Sequence, residues 1–142
     1  MNERAELSRA LASSYPAFEN LRDGLLDRRP VEIRDVHLPM LELAERSGLV
    51  HRTAGTWQIT GNGARRYLTG GWLEEYVALA VRETGADEVL IGQKLRWRAR
   101  EYTGENEIDV LARFGSRLFM CSCKALKSAL LPDDVRTRER LM

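Results

Sequence analysis

The sequence has no apolar run approaching the roughly 18–20 residues needed to cross a bilayer. Its opening stretch, MNERAELSRA, has no signal-peptide core. The first absence argues against a membrane-spanning helix and the second against export, so a cytoplasmic location is expected. Cysteine is scarce: Cys121 and Cys123 stand two apart in one apolar run. On a single extended segment they point the same way, which makes a disulfide between them implausible. Without a clustered histidine pair they also make no structural zinc site, which normally takes four ligands. An excess of one charge is missing too, since 22 Lys and Arg against 21 Asp and Glu leave a net charge of +1. That total predicts nothing about nucleic acid. Internal repeats and low-complexity segments are absent. What remains is a chain of 142 residues, 44% hydrophobic and 30% charged, the profile of one soluble globular domain or two small ones sharing a core.

The first third reads as helical. Glu3 to Tyr15 is one helix, ended by Pro16, and Ala17 to Asp27 a second, ended before Pro30. After an extended Val31-Glu32-Ile33, the apolar spacing of Leu38, Leu41 and Ala44 predicts a helix to Ser47, capped by Gly48. Leu49 to Arg52 and Thr56 to Thr60 flank a turn at Thr53-Ala54-Gly55 and predict a β-hairpin. Helix, hairpin and a further helix from Thr60 are the layout of a winged-helix module. Glu42 and Glu45 against a single Arg46 make its candidate recognition helix a poor phosphate surface, which favours a structural or dimerising role. Gly70-Gly71 is read as a boundary that divides the chain into 1–69 and 70–142.

Beyond it, Trp72 to Thr84 is a strong amphipathic helix closed by Gly85. Strands are expected at Glu88 to Arg100, Glu107 to Phe114 and Arg117 to Ala125. Turns at Thr103-Gly104-Glu105-Asn106 and Gly115-Ser116 would make them an antiparallel meander. Asp133 to Leu141, after Pro132, is expected as a last helix. The fold class is therefore α+β, with a helical N-terminal module before a helix–three-strand–helix core. Lys94, Arg96, Arg98 and Arg100 alternate with Leu95, Trp97 and Ala99, giving one cationic strand face that could follow a phosphate backbone. A solvated outer face is the plainer reading of the same pattern. Trp97, on the opposite face, is expected in the core.

Two residues stand out chemically. Asp109 lies in the apolar Ile108-Asp109-Val110-Leu111, and Lys124 follows Leu118 to Cys123 on the face of Leu118, Met120 and Ser122. Ionised groups in apolar strands are costly unless paired or liganded. An Asp–Lys ion pair orienting the hairpin and a metal-dependent hydrolytic site are equally open on this pattern. Glu74 shifts the balance, because it shares the apolar helical face of Val77, Ala78 and Val81, whereas Glu75 looks toward solvent. Divalent-metal phosphodiester hydrolysis needs a few hard oxygen ligands and commonly a nearby cation.

At Gly70-Gly71-Trp72-Leu73-Glu74-Glu75-Tyr76-Val77, Asn106-Glu107-Ile108-Asp109-Val110-Leu111 and Ser122-Cys123-Lys124 the chain resembles the PD-(D/E)XK nuclease superfamily. Within it the chain looks most like the nuclease part of the CRISPR ancillary nucleases of the Card/Can type, which join such a nuclease to a cyclic-oligonucleotide sensor domain. The match covers about half the chain. The resemblance implies a restriction-endonuclease-like core and a Mn2+ or Mg2+ cofactor. It makes Asp109 the central metal ligand, Glu74 the helix acid, and the Cys123 backbone carbonyl a further ligand. Lys124 would position the nucleophile or stabilise the transition state. Ser122 stands where the superfamily usually has Glu or Asp, and Glu107, on the face of Asp109, could supply the missing charge. The resemblance further implies a nucleic acid substrate, DNA or RNA, a role in antiviral defence and a homodimer. No sensor-like stretch precedes residue 70, and the core is expected to be incomplete after Met142. With Ser122 in place of a carboxylate, the alternative is a non-catalytic module that binds nucleic acid or a partner and keeps the nuclease fold.

Overall fold

The computed structural model describes residues 3–125. It is an α+β arrangement, a helical part with a short hairpin followed by a three-stranded antiparallel sheet. The helix expected at Asp133 to Leu141 lies outside the described residues.

The two helices expected on either side of Pro16 are one helix, α1 (Glu3–Asp27), kinked at Ser14, where φ/ψ of −131/25 leaves the helical region. Pro16 has no N–H to give and its ring crowds the carbonyl four residues back, which bends the helix. The helix continues because Leu7, Leu11, Phe18, Leu21 and Leu25 bury one stripe across the kink. Val31 to Ile33 form no strand. A 3-10 turn at Asp35–His37 follows, and α2 (Leu38–Arg46) buries Met40, Leu41, Leu43 and Ala44. His37 is structural: its Nδ1 accepts the Arg34 amide (3.1 Å), so its Nε2–H donates to the Ala17 carbonyl (2.9 Å).

Strands β1 (Val50–Thr53) and β2 (Thr56–Ile59) pair as the expected hairpin. Ala54 and Gly55 both take positive φ, 51° and 79°, as a two-residue type I′ turn requires. The chain then runs without interruption through α3 (Asn62–Arg66), a π-helical turn (Tyr67–Gly71) and α4 (Trp72–Glu83). Gly70-Gly71 therefore does not break the helical run. Tyr67, Leu68 and Trp72 all belong to the N-terminal core. There the Trp72 ring stacks on Tyr15 at 5.1 Å, and the Tyr67 hydroxyl meets Ser8 Oγ at 2.8 Å.

Strands β3 (Glu88–Ala99), β4 (Tyr102–Phe114) and β5 (Arg117–Cys121) form the sheet in that order. The first turn is not at Thr103 to Asn106. It is the tighter Arg100-Glu101, with Arg100 at φ 55°, so that Ala99 pairs with Tyr102, Trp97 with Gly104 and Arg96 with Glu105. Gly104 is a packing residue, since a Cβ there would come within 2.1 Å of the Trp97 ring. β5 is shorter than expected and ends at Cys121. Helix α4 covers only part of one sheet face, where Ala78 meets Val89, Val110 and Ala112. Beyond its reach the β3–β4 ribbon is exposed, and Trp97 is 48% accessible instead of lying in the core. Among the described residues no helix is long and apolar enough to cross a membrane.

Candidate active site

Adjacent glutamates in the first turn of α4 have different surroundings. Glu75 is held by Arg4 of α1, in an ion pair of 2.8 Å, and so is not simply solvent-facing. Glu74 is left half-buried, near the sheet. Its pKa is raised, first by burial and then by the negative charges of Asp109, Glu107 and Glu75. The sequence thus brings the helix acid into the field of two strand acids. None of Glu74, Glu107 and Asp109 forms an ion pair among the described residues.

Asp109 sits where regular pairing fails on both sides. Toward β3, Ile91 pairs with Val110 and Gln93 with Ile108, but Gly92 and Asp109 do not pair. Gly92 has φ 64°, a left-handed conformation that breaks the strand's alternation and favours glycine. Its missing side chain leaves room beside the carboxylate of Glu107, 3.6 Å from where a Cβ would stand. Toward β5, the ladder stops at Cys121, and the Cys123 amide donates to Asp109 Oδ2 at 2.7 Å. The Asp109 side chain thereby caps the strand end. Gly92 was missed from the sequence, although an isolated glycine inside a strand pattern is the available signal for such a distortion.

Ser122 and Lys124 follow that cap. Ser122 Oγ lies 3.5 Å from Asp109 Oδ2, long for an O–H···O bond, with both residues on the expected side. A carboxylate there would add a further negative charge beside Asp109. Lys124 is exposed and, among the described residues, makes no ion pair, so the Asp109–Lys124 pair that the sequence left open does not form. Both cysteines are free. The Cys123 thiol is pushed up to about 12, chiefly by burial, then by Cys121 and by the charges of Asp109 and Glu74.

Among the described residues Glu74, Glu107 and Asp109 are carboxylates without an ion-pair partner, and oxygen ligands of this kind are what hard divalent cations take. Among the described residues no three Asp, Glu, His or Cys side chains are close enough together to form a ready-made metal cluster. The cationic stripe is partly neutralised, since Lys94 and Arg96 both face Glu105, at 3.8 and 3.2 Å. Arg98 lies opposite Thr103, and Arg100 belongs to the turn instead of the strand face.

Residues 61–137 match the family model described as Card1-like, endonuclease domain. No curated protein matches the chain. The fold is similar to that of Can2 from Sulfobacillus thermosulfidooxidans, solved in complex with cyclic tetra-adenylate. The TM-score is 0.62 at 17% identity, over 96% of this chain and 41% of that one. The protein VC1899 from Vibrio cholerae is also similar, with a TM-score of 0.49 at 20% identity, over 94% of this chain and 39% of that one. The chain thus spans about two-fifths of the length of these solved proteins.

Proposed function

The chain belongs to the Card1-like endonuclease domain family, and we propose that it hydrolyses phosphodiester bonds of DNA or RNA in a metal-dependent reaction centred on Asp109. The observation that carries this reading is that half-buried Glu74 lies in the field of Asp109 and Glu107, and that among the described residues none of the three has an ion-pair partner. Such an arrangement costs stability unless a cation is bound there. Asp109, Glu74 and the Cys123 carbonyl would hold Mn2+ or Mg2+, with Glu107 supplying the charge that Ser122 lacks. When bound, the ion supplies Lewis acidity and lowers the pKa of a water.

The chain's own groups do the rest. The Cys123 amide fixes the orientation of Asp109, and Ser122 adds a neutral contact to the same oxygen. Lys124, exposed and without an ion-pair partner among the described residues, would meet the scissile phosphate and stabilise the charge that builds there. The test is cleavage of single- and double-stranded DNA and RNA with Mn2+ or Mg2+, in the wild type and in Asp109→Ala and Lys124→Ala. Loss in both variants is expected, and cleavage that survives Asp109→Ala would sink the assignment.

Ser122 favours a second reading, a module that keeps the fold and binds nucleic acid or a partner without cutting. Calorimetry separates the two: no Mn2+ binding, together with salt-sensitive nucleic-acid binding, selects the second. In either case the chain corresponds to the nuclease part of a Card/Can-type protein. The cyclic tetra-adenylate bound by Can2 suggests that a sensor elsewhere controls cleavage in antiviral defence. Action as a cytoplasmic homodimer completes the proposal.

A further inference from the structure

A second group of arginines lies away from the strand that the sequence nominated. A groove of about 640 Å3 runs between the loop after α1 and the outer side of β2 and the start of α3. Arg28 and Arg29 stand on one wall, Arg65 on the other, with Gln58 and Asn62 between them as amide donors. Among the described residues no aspartate or glutamate lines it. Arg65 spends one of its donors on the Leu26 carbonyl at 2.8 Å, which fixes its direction. The Arg29 guanidinium pairs with the exposed Asp27 at 3.0 Å. Arg28 is exposed and takes φ 55°, a left-handed backbone uncommon for arginine. At the hairpin end of the groove Arg52 lies over the ring of Trp57, which forms part of the floor.

We infer that this groove holds the phosphodiester backbone of a nucleic acid strand, at a site separate from the carboxylates around Asp109. Arg65 reaches across to the end of α1, so three guanidinium groups belong to this groove together with the planar amides of Gln58 and Asn62, which match phosphate oxygens in charge and in hydrogen-bonding capacity. The N-terminal module would then grip nucleic acid after all, through the face formed by Arg28, Arg29 and Arg65 and not through the acidic helix α2. The inference rests on the chain acting on nucleic acid, but not on its cutting it.

The experiment is fluorescence anisotropy of the full chain in EDTA, where no cleavage occurs. The probe is a fluorescein-labelled single-stranded DNA oligonucleotide, titrated across a range of salt. Arg28→Asn/Arg29→Gln is the test variant, chosen because asparagine tolerates the left-handed backbone at position 28. Binding is expected to weaken about tenfold, and the salt slope to become shallower by about 1.4 for two lost phosphate contacts. Arg28→Lys/Arg29→Lys is expected to recover most of the affinity, which separates charge from folding. Unchanged affinity and slope in the Asn/Gln variant would overturn the inference. Equal affinity for a labelled mononucleotide would overturn the strand as the occupant. A chain that binds the oligonucleotide through Arg28 and Arg29 and never cleaves leaves this inference standing and removes the nuclease reading.

Discussion

The two halves of the molecule are packed to different standards. In the helical half, fifteen buried apolar residues from α1, α2, the hairpin and the run into α4 close around Leu11, Leu21, Leu41 and Tyr67. In the sheet, the comparable cluster is Ala78, Val89, Val110 and Ala112. Leu90, Leu111 and Met120 pair across all three strands on the face opposite Val110, and Met120 is 61% exposed. The first half is a core in its own right. The second is held in place by α4, which shares its N-terminal turns with the first.

The difference predicts that chemistry and stability separate along the chain. Asp109→Ala should reduce cleavage to background and Lys124→Ala should lower its rate about 10²–10³-fold. Lys124→Ala should not move the melting temperature by more than a surface substitution does, whereas Asp109→Ala also loses the acceptor of the Cys123 amide and should cost about 1 kcal/mol. Leu21→Ala, in the closed core, is expected to cost about 2–5 kcal/mol. It should melt helix and sheet together by circular dichroism. Sheet signal that outlasts the helices would show that the sheet stands alone. Met120→Ala, by contrast, should change stability by no more than about 0.5 kcal/mol.

On the ribbon, Gly104→Ala should drive the Trp97 indole off its seat and break its hydrogen bond to Asn106, now 2.7 Å. The cost is about 1–3 kcal/mol, as for other overpacked sites, with a shift in tryptophan fluorescence as the readout. The smallest effect concerns Glu74. Its raised folded-state pKa means that the native chain binds the proton more tightly than the unfolded chain. Ionised Glu74 therefore opposes folding above its folded-state pKa, and this opposition fades as pH falls from there toward the ordinary value of 4.5 and is gone below it. Glu74→Gln in chelator should raise Tm slightly at neutral pH, with the gain vanishing in acid, while cleavage is lost. A destabilised variant at neutral pH would show that Glu74 is a structural partner.

Local chemistry made much of this legible in the sequence. The β1–β2 turn, the α4 stripe and the placement of Asp109 beside Ser122 follow from turn residues and from periods of 3.6 and 2. The misses share one cause, that the sequence shows a residue's preferences but not its neighbours. Pro16 looked like a stop because the buried stripe continuing beyond it is a tertiary fact. Thr103 to Asn106 looked like a turn because Gly104 was read for its flexibility, whereas its use is to seat Trp97. Trp97 looked buried because the length of α4 gives no sign of how far along the ribbon it reaches. Lys124 looked like a partner for Asp109, but the Cys123 amide has that oxygen.

The π-helical turn at Tyr67–Gly71 sets an angular phase between the two halves. It spends one residue more than an α-turn, and each helical residue turns the chain by about 100°. Trp72 is anchored in one core and Glu74, two positions on, faces the sheet. Removing one residue from the turn would rotate everything downstream as a rigid screw. Either the indole would leave its socket or every side chain would move by one position, so that Glu75 faced the sheet and Tyr76 took the place beside Arg4. The bulge works as a key that fixes which of two adjacent, chemically identical side chains is offered to the strands.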